Sequence, residues 1–343
     1  LTITSSVSSD NQKMLSTRQL GLNGLTVSAI GLGCWAMTGR AYGTADEAEC
    51  IATIRKAIEL GINFFDTAEA YGPYTNEEML GRVLKDYRRA EIVVATKFGM
   101  RFEDGRVAGT DSRPPRIYAA VEGSLRRLQI ETIDLLYQHR VDPTVPIEDV
   151  VGAMADLVQQ GKVRFLGLSE AGERTLRRAH ACHPVSALQS EYSMWERNLE
   201  PRILPALREL GIGLVPFSPL GRGFLTGMVK RAEEYPPTDW RHNDPRFKGE
   251  NFEANRKVFS TVREIAGQKG VSTSQIALAW LLHKGPDIVP IPGTTRQSHL
   301  EDNFAAAGVG LSPDEMAQLD SALAPEMIAG ERYAEGPKRM IDR

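Results

Sequence analysis

The sequence predicts an α/β fold, a (β/α)8 TIM barrel, on three observations. Short β-rich runs alternate with helix-periodic segments, there are eight such runs, and no break in composition divides the chain. With 343 residues and 42% hydrophobic content, the chain can bury one large core. Strands are expected over 27–33, 62–67, 92–97, 132–138, 163–169, 187–191, 213–218 and 287–291. Amphipathic helices are expected over 45–60, 76–85, 116–128, 147–160, 172–181 and 201–210. Strands that alternate with helices form parallel βα units, and eight units close into a barrel.

Residues 1–13 are polar and Ser-rich and read as a flexible tail without the apolar stretch of a secretory signal. Residues 14–343 read as a single barrel domain. Before the first barrel strand, STRQLGLNGLTVS carries Asn23 and Gly24, a pair suited to a tight hairpin that caps the barrel floor. After the seventh strand, 221–251 is polar, Pro-rich and too long for an ordinary connection, which points to a covering loop. Helices follow over 258–270 and 274–284, the second capped by Ser272 or Thr273, and one of the two is an addition to the barrel.

Cys34, Cys50 and Cys182 give an odd count with no CxxC spacing, as expected of free thiols in a cytoplasmic protein. The net charge is -3 with both signs interspersed, so no nucleic-acid footprint is expected, and no stretch is apolar enough to span a membrane. Small-molecule chemistry is the expectation. GLGCWA (31–36) imitates a dinucleotide fingerprint, but helical patterning resumes only near Ala45, whereas that fingerprint opens directly into a helix. HACH (180–183) ends a predicted helix with no matching distant cluster, and its side chains read as solvated rather than metal-binding.

Four residues of different types stand at or just beyond strand ends. Asp66 and Tyr71 lie in GINFFDTAEAYG, Lys97 ends IVVATK, and His139 closes TIDLLYQH. In a parallel barrel the C-terminal strand ends converge on one face, which brings these distant residues together. A phenol has a pKa of about 10 and needs a cationic neighbour to exchange its proton near neutrality. An ammonium at roughly 4 Å, at an effective dielectric of about 20, favours phenolate by about 4 kcal/mol, roughly three pKa units before desolvation. Lys97 is that neighbour, Asp66 holds its charge against burial, and His139 donates to a carbonyl oxygen while Tyr71 moves the proton.

These motifs resemble the aldo-keto reductases over about 18–324, and the potassium-channel β subunits are similar too. The resemblance implies NADPH/NADP+ as cofactor and reversible reduction of aldehydes or ketones to alcohols, with Asp66, Tyr71, Lys97 and His139 catalytic and Tyr71 the proton donor. It places Ser169 of GLSEAG and Gln189 of LQSEYS at the nicotinamide carboxamide, with Glu170 where Asn is usual. In VPFSPLGRG, Phe217 takes the position of the stacking ring, and Ser218, Leu220, Gly221 and Arg222 resemble the pyrophosphate-binding turn. Trp35 and Asp66 also fall on the cofactor side.

The run IPGTTRQSHLEDN (291–303) opens a helix after the eighth strand, the usual place for phosphate recognition. Resemblance puts Gly293, Thr295, Arg296 and His299 near a 2'-phosphate and Asp302 and Asn303 near adenine or ribose, with Arg296 the main reason to expect NADP. Trp35, Met37, Tyr71, Phe98, His139 and Trp195 are expected to wall the pocket for a small-molecule carbonyl substrate. The ends of 221–251 and a tail segment with Gly330, Glu331, Arg332 and Tyr333 are expected over its mouth. The alternative is a non-catalytic nicotinamide-binding regulatory subunit on the same fold.

Overall fold

The computed structural model of the chain describes residues 16–22, 24–39, 42–103 and 106–342. A hairpin of β1 (Thr17–Leu20) and β2 (Leu25–Ser28) comes first, antiparallel. The parallel sheet then runs β3 (Leu32–Gly33), β4 (Phe64–Asp66) and β5 (Val93–Phe98). An unpredicted antiparallel hairpin, β6 (Met100–Glu103) and β7 (Arg106–Thr110), rises from the end of β5. The sheet resumes with β8 (Ile133–Gln138), β9 (Val163–Ser169), β10 (Val185–Glu191) and β11 (Gly213–Phe217). Seven strands pair in parallel in the order β3-β4-β5-β8-β9-β10-β11, a nearly closed barrel.

Closure falls to the run at 287–293, of which 287–291 is expected as an eighth strand but which forms only isolated bridges, from Ile288 to Leu214 and from Gly293 to Gly33. The reason is its prolines. Val289 and Ile291 donate to Leu214 and Pro216 on one side (2.9 and 3.0 Å), while Pro290 and Pro292 accept from Gly31 and Gly33 on the other (3.0 and 3.2 Å). Lacking N–H groups, the two prolines return no bond to β3, so only half a ladder forms there.

The expected first strand, 27–33, also divides: Val27 and Ser28 belong to the hairpin, and only Leu32 and Gly33 join the barrel. Ser28 breaks the run by donating its N–H to Asn63 Oδ1 (2.7 Å) and its hydroxyl to the Ile30 carbonyl (2.8 Å). In the predicted hairpin turn, Asn23 lies outside the described residues, and Gly24 N–H donates to Gly21, which has φ 80°. The hairpin plugs the barrel floor as expected: Leu20, Leu25 and Val27 pack with the interior side chains Phe64, Ala95, Tyr137 and Val215.

Helices α1 (Glu47–Glu59), α2 (Thr75–Leu84), α3 (Pro114–Leu128), α4 (Ile147–Gln159), α5 (Glu173–Cys182) and α6 (Ile203–Leu210) follow the predicted segments within two residues at each end. The segment expected as 258–270 begins earlier and breaks at Phe259, giving α7 (Gly249–Val258) and α8 (Ser260–Lys269). Buried Asn255 anchors the extension by donating to the Arg246 and Ala329 carbonyls (3.2 and 2.9 Å), which ties loop, helix and C-terminal segment together. Helix α9 (Thr273–His283) takes Ser272 as its cap in a reciprocal capping box with Gln275, and α10 (Gln297–Ala305) opens after the proline run. No helix among the described residues is long and apolar enough to cross a membrane.

Candidate active site

The interior apolar cluster takes alternate residues of each strand: Phe64 of β4, Val93 and Ala95 of β5, Leu135 and Tyr137 of β8, Ala187 of β10 and Val215 of β11. Side chains two apart share a face of a strand. One step further toward each C-terminal end stand Asp66, Lys97, His139, Gln189 and Phe217, on the same face at the barrel mouth. Alternation therefore delivers polar groups to the rim without breaking the apolar interior.

Lys97 Nζ donates to Asp66 Oδ1 (2.5 Å), to the Thr67 carbonyl (2.8 Å) and to the Tyr71 hydroxyl (3.0 Å). Gln189 Nε2 holds the second Asp66 oxygen (2.7 Å). The His139 ring stands edge-on to Tyr71 with centroids 5.9 Å apart, and its Nδ1 is buried without a hydrogen-bond partner. The four expected catalytic residues thus meet around one corner, with the Tyr71 phenol and the His139 imidazole facing each other across it.

Burial acts against every charge in this corner. It raises the Asp66 carboxyl, opposed by Lys97 and Gln189. It would lower the Lys97 ammonium, but Asp66 and Tyr71 outweigh it and leave Lys97 raised. For Tyr71 the expected dominance of Lys97 is reversed: desolvation outweighs the ammonium, and the phenol lies above its ordinary value. A phenol held protonated suits an acid. Burial, then Arg140 and Lys97, push His139 well below the usual imidazole range, so the ring is neutral at physiological pH.

Because the folded pKa of His139 is depressed, it contributes stability that is present above about pH 6.5 and lost as pH falls toward the folded value. Urea melts between pH 5 and 7 should show this as a slope of at most about 1.4 kcal/mol per pH unit. The slope should be absent in His139→Gln; an identical slope in the variant would assign it elsewhere.

The residues expected beside a nicotinamide lie next to the corner. Ser169 Oγ accepts from Arg140 (3.1 Å), and Arg140 also lies over the half-buried Phe217 ring at 6.0 Å. Sequence reading passed over Arg140, although it directly follows His139. Ser218, Gly221 and Arg222 all have positive φ (47°, 57° and 57°), an irregular turn whose bend brings Gly221 close to the Trp195 ring. Leu220 is half-buried at the start of this turn. The Arg222 guanidinium faces inward to Glu191 and Asp244, so only its backbone is left for a pyrophosphate.

Of the residues expected near the adenosine half of a cofactor, Gly293, Arg296 and His299 are exposed, Thr295 and Asp302 are half-buried, and Asn303 is buried. The Asp302 carboxylate accepts from Ser272 (2.8 Å), and the Thr295 carbonyl accepts from Thr53 (3.1 Å).

The expected substrate wall divides. Trp35, Tyr71 and His139 are half-buried at the mouth, but Met37, Phe98 and Trp195 are packed in the core. Phe98 follows the inward Lys97 and so points out of the barrel, and Trp195 stacks on Phe224 at 4.2 Å with Phe247 at its edge. Trp240 and Tyr333 complete the rim instead: Trp240 lies 6.1 Å from Trp35 and 6.5 Å from Tyr333. The loop and the C-terminal segment therefore meet over the mouth, as expected of 221–251 and of the residues around Arg332.

Of the two misleading motifs, GLGCWA leads into a four-residue 3-10 turn (Trp35–Thr38), and His180 of HACH accepts the Val185 N–H at the start of β10 (3.2 Å).

The sequence profile of the aldo/keto reductase family matches residues 29–324. A soybean (Glycine max) protein described as "Probable aldo-keto reductase 1" is 42% identical over 328 residues, 95% of this chain and 94% of its own length. Among solved structures, a glycerol dehydrogenase from Gluconobacter oxydans superposes with a TM-score of 0.82 at 32% identity, over 90% of this chain and 96% of that one. The holo form of an aldo-keto reductase from Bacillus halodurans gives 0.75 at 26% identity, over 91% and 97%.

Proposed function

The chain belongs to the aldo/keto reductase family, oxidoreductases that act on carbonyls and generally use nicotinamide cofactors, and on that premise we propose an NADPH-dependent reductase of aldehydes or ketones in which Tyr71 gives the proton. The observation that carries this reading is the Lys97 ammonium seated between Asp66 and the Tyr71 hydroxyl.

The residues fit the dinucleotide. Phe217 offers a half-exposed ring beside Ser169, and Arg296 is an exposed guanidinium at the start of α10 with no ion pair among the described residues. When bound, reduced nicotinamide supplies the hydride that the carbonyl carbon receives. The chain supplies the rest. Neutral His139 orients the carbonyl oxygen, Tyr71 donates its proton to that oxygen as negative charge develops, and Lys97 stabilises the phenolate left behind. Asp66, fixed by Gln189, keeps Lys97 charged. In the reverse direction the Tyr71 phenolate takes the alcohol proton.

The test is cofactor consumption with NADPH or NADH across a panel of aldehydes and ketones. Arg296→Ala should raise KM for NADPH roughly tenfold or more, the worth of a charge-assisted hydrogen bond, and leave KM for NADH nearly unchanged. Equal effects on both would remove the 2'-phosphate assignment. Tight cofactor binding with no turnover of any carbonyl would favour the regulatory alternative.

A further inference from the structure

Two carboxylates at the barrel mouth depend on a residue from far along the chain. Glu170 follows β9 with φ 54°, Glu191 ends β10, and both are buried. The Glu191 N–H donates to Glu170 Oε1 (2.9 Å), which brings the two residues together. Arg332 clasps both: its terminal nitrogens bind the two Glu170 oxygens (2.9 and 2.7 Å), and its Nε binds Glu191 (2.7 Å). Arg222 takes Glu191 through both oxygens (2.8 and 2.7 Å), Asp244 (2.6 Å) and the Arg332 carbonyl (3.1 Å). Burial would raise the Glu191 carboxyl, but Arg222 and Arg332 hold it down at about 2. Three carboxylates thus face two guanidiniums, and without Arg332 a single guanidinium would remain among them, which a buried site tolerates poorly.

Glu170 directly follows Ser169, and its backbone is held by its N–H to the Gln189 carbonyl (3.0 Å) and by the Asp342 N–H to its own carbonyl (3.2 Å). An oxidised nicotinamide ring carries a positive charge that the reduced ring lacks, so a bare carboxylate nearby would favour the oxidised form selectively. We propose that Arg332 is a positioning residue that neutralises Glu170 and thereby sets the relative affinity of the site for reduced and oxidised dinucleotide. The inference rests on nicotinamide binding beside Ser169 and Phe217, as proposed above. The contacts that seat the C-terminal segment deliver this charge: Arg246 binds the Gly330 carbonyl (3.3 Å), and Asp342 accepts the Gly172 N–H (3.0 Å).

The experiment is direct binding of NADP+ and of NADPH to the full chain, by titration calorimetry at fixed ionic strength, with thermal melts of every variant. Arg332→Met should tighten NADP+ relative to NADPH by roughly tenfold, the scale of one uncompensated charge several ångströms away. Arg332→Lys, which keeps the charge, should stay near wild type, and Arg332→Met combined with Glu170→Gln should restore the wild-type ratio. A folded Arg332→Met with an unchanged ratio, or a double variant that restores nothing, would overturn the proposal. If Arg332→Met does not fold, Glu170→Gln alone decides: it removes one negative charge from the cluster and should shift the ratio toward NADPH, and no shift would overturn the proposal. Failure of the wild type to bind either dinucleotide would instead remove the proposed function, and this inference with it.

Discussion

Tyr71→Phe is expected to lower the turnover of carbonyl reduction by roughly 10²- to 10⁴-fold, the usual contribution of a positioned general acid, or about 3 to 5 kcal/mol of barrier. The substitution removes one oxygen and keeps the ring that stands against His139. Lys97 loses one of three acceptors but keeps Asp66 and the Thr67 carbonyl, so the variant should fold and bind cofactor as before. Single-turnover oxidation of NADPH isolates the chemical step from product release. Wild-type single-turnover rates in Tyr71→Phe would show that another group delivers the proton, and His139 would be the group to test next.

Lys97→Met should cost both stability and activity, and the two losses separate in a second variant. Removing the ammonium leaves Asp66 buried with Gln189 as its one side-chain partner among the described residues and without a counter-charge there, a change that typically costs about 3 to 5 kcal/mol. Asp66 should then take up a proton more readily than in the wild type, because burial already raises its carboxyl and the opposing charge is gone. The double variant Lys97→Met with Asp66→Asn should recover most of the stability in urea denaturation. It should recover none of the turnover, since the Tyr71 phenol still lacks the cation that stabilises its conjugate base. Recovery of activity in the double variant would mean that Lys97 serves only to compensate Asp66.

The paired losses bear on how the site is built. Lys97 is fully enclosed, and a charge there is tolerated because Asp66 arrives from the adjacent β4, Gln189 from β10 further round the barrel and Tyr71 from the loop after β4. Electrostatic preorganisation of this kind belongs to the folded chain alone, because in the unfolded chain each group is solvated separately.

Much of this was legible in the chain itself. The order of strands and helices follows from patterns that repeat over two or about four residues, the floor hairpin from its Asn-Gly pair, and the four candidate catalytic positions from their place at or just beyond strand ends, all of which report local geometry. Period-two alternation in particular carries Asp66, Lys97 and His139 to one rim once the strands are known to be parallel. The eighth strand failed for a cause also written in the chain: Pro290 and Pro292 sit where a full ladder needs donors.

Other features were settled only by the fold. The clasp of Arg332 on Glu170 and Glu191 joins residues about 140 to 160 positions apart, and no local period signals such a meeting. Residue type alone suggests Phe98 and Trp195 as pocket walls, whereas the side of the strand and the neighbouring rings decide that they are core. The direction of the Tyr71 shift depended on the balance between desolvation and one ammonium at 3.0 Å. Composition supplies the charges in such a balance, but their depth and separation, which set its sign, exist only in three dimensions.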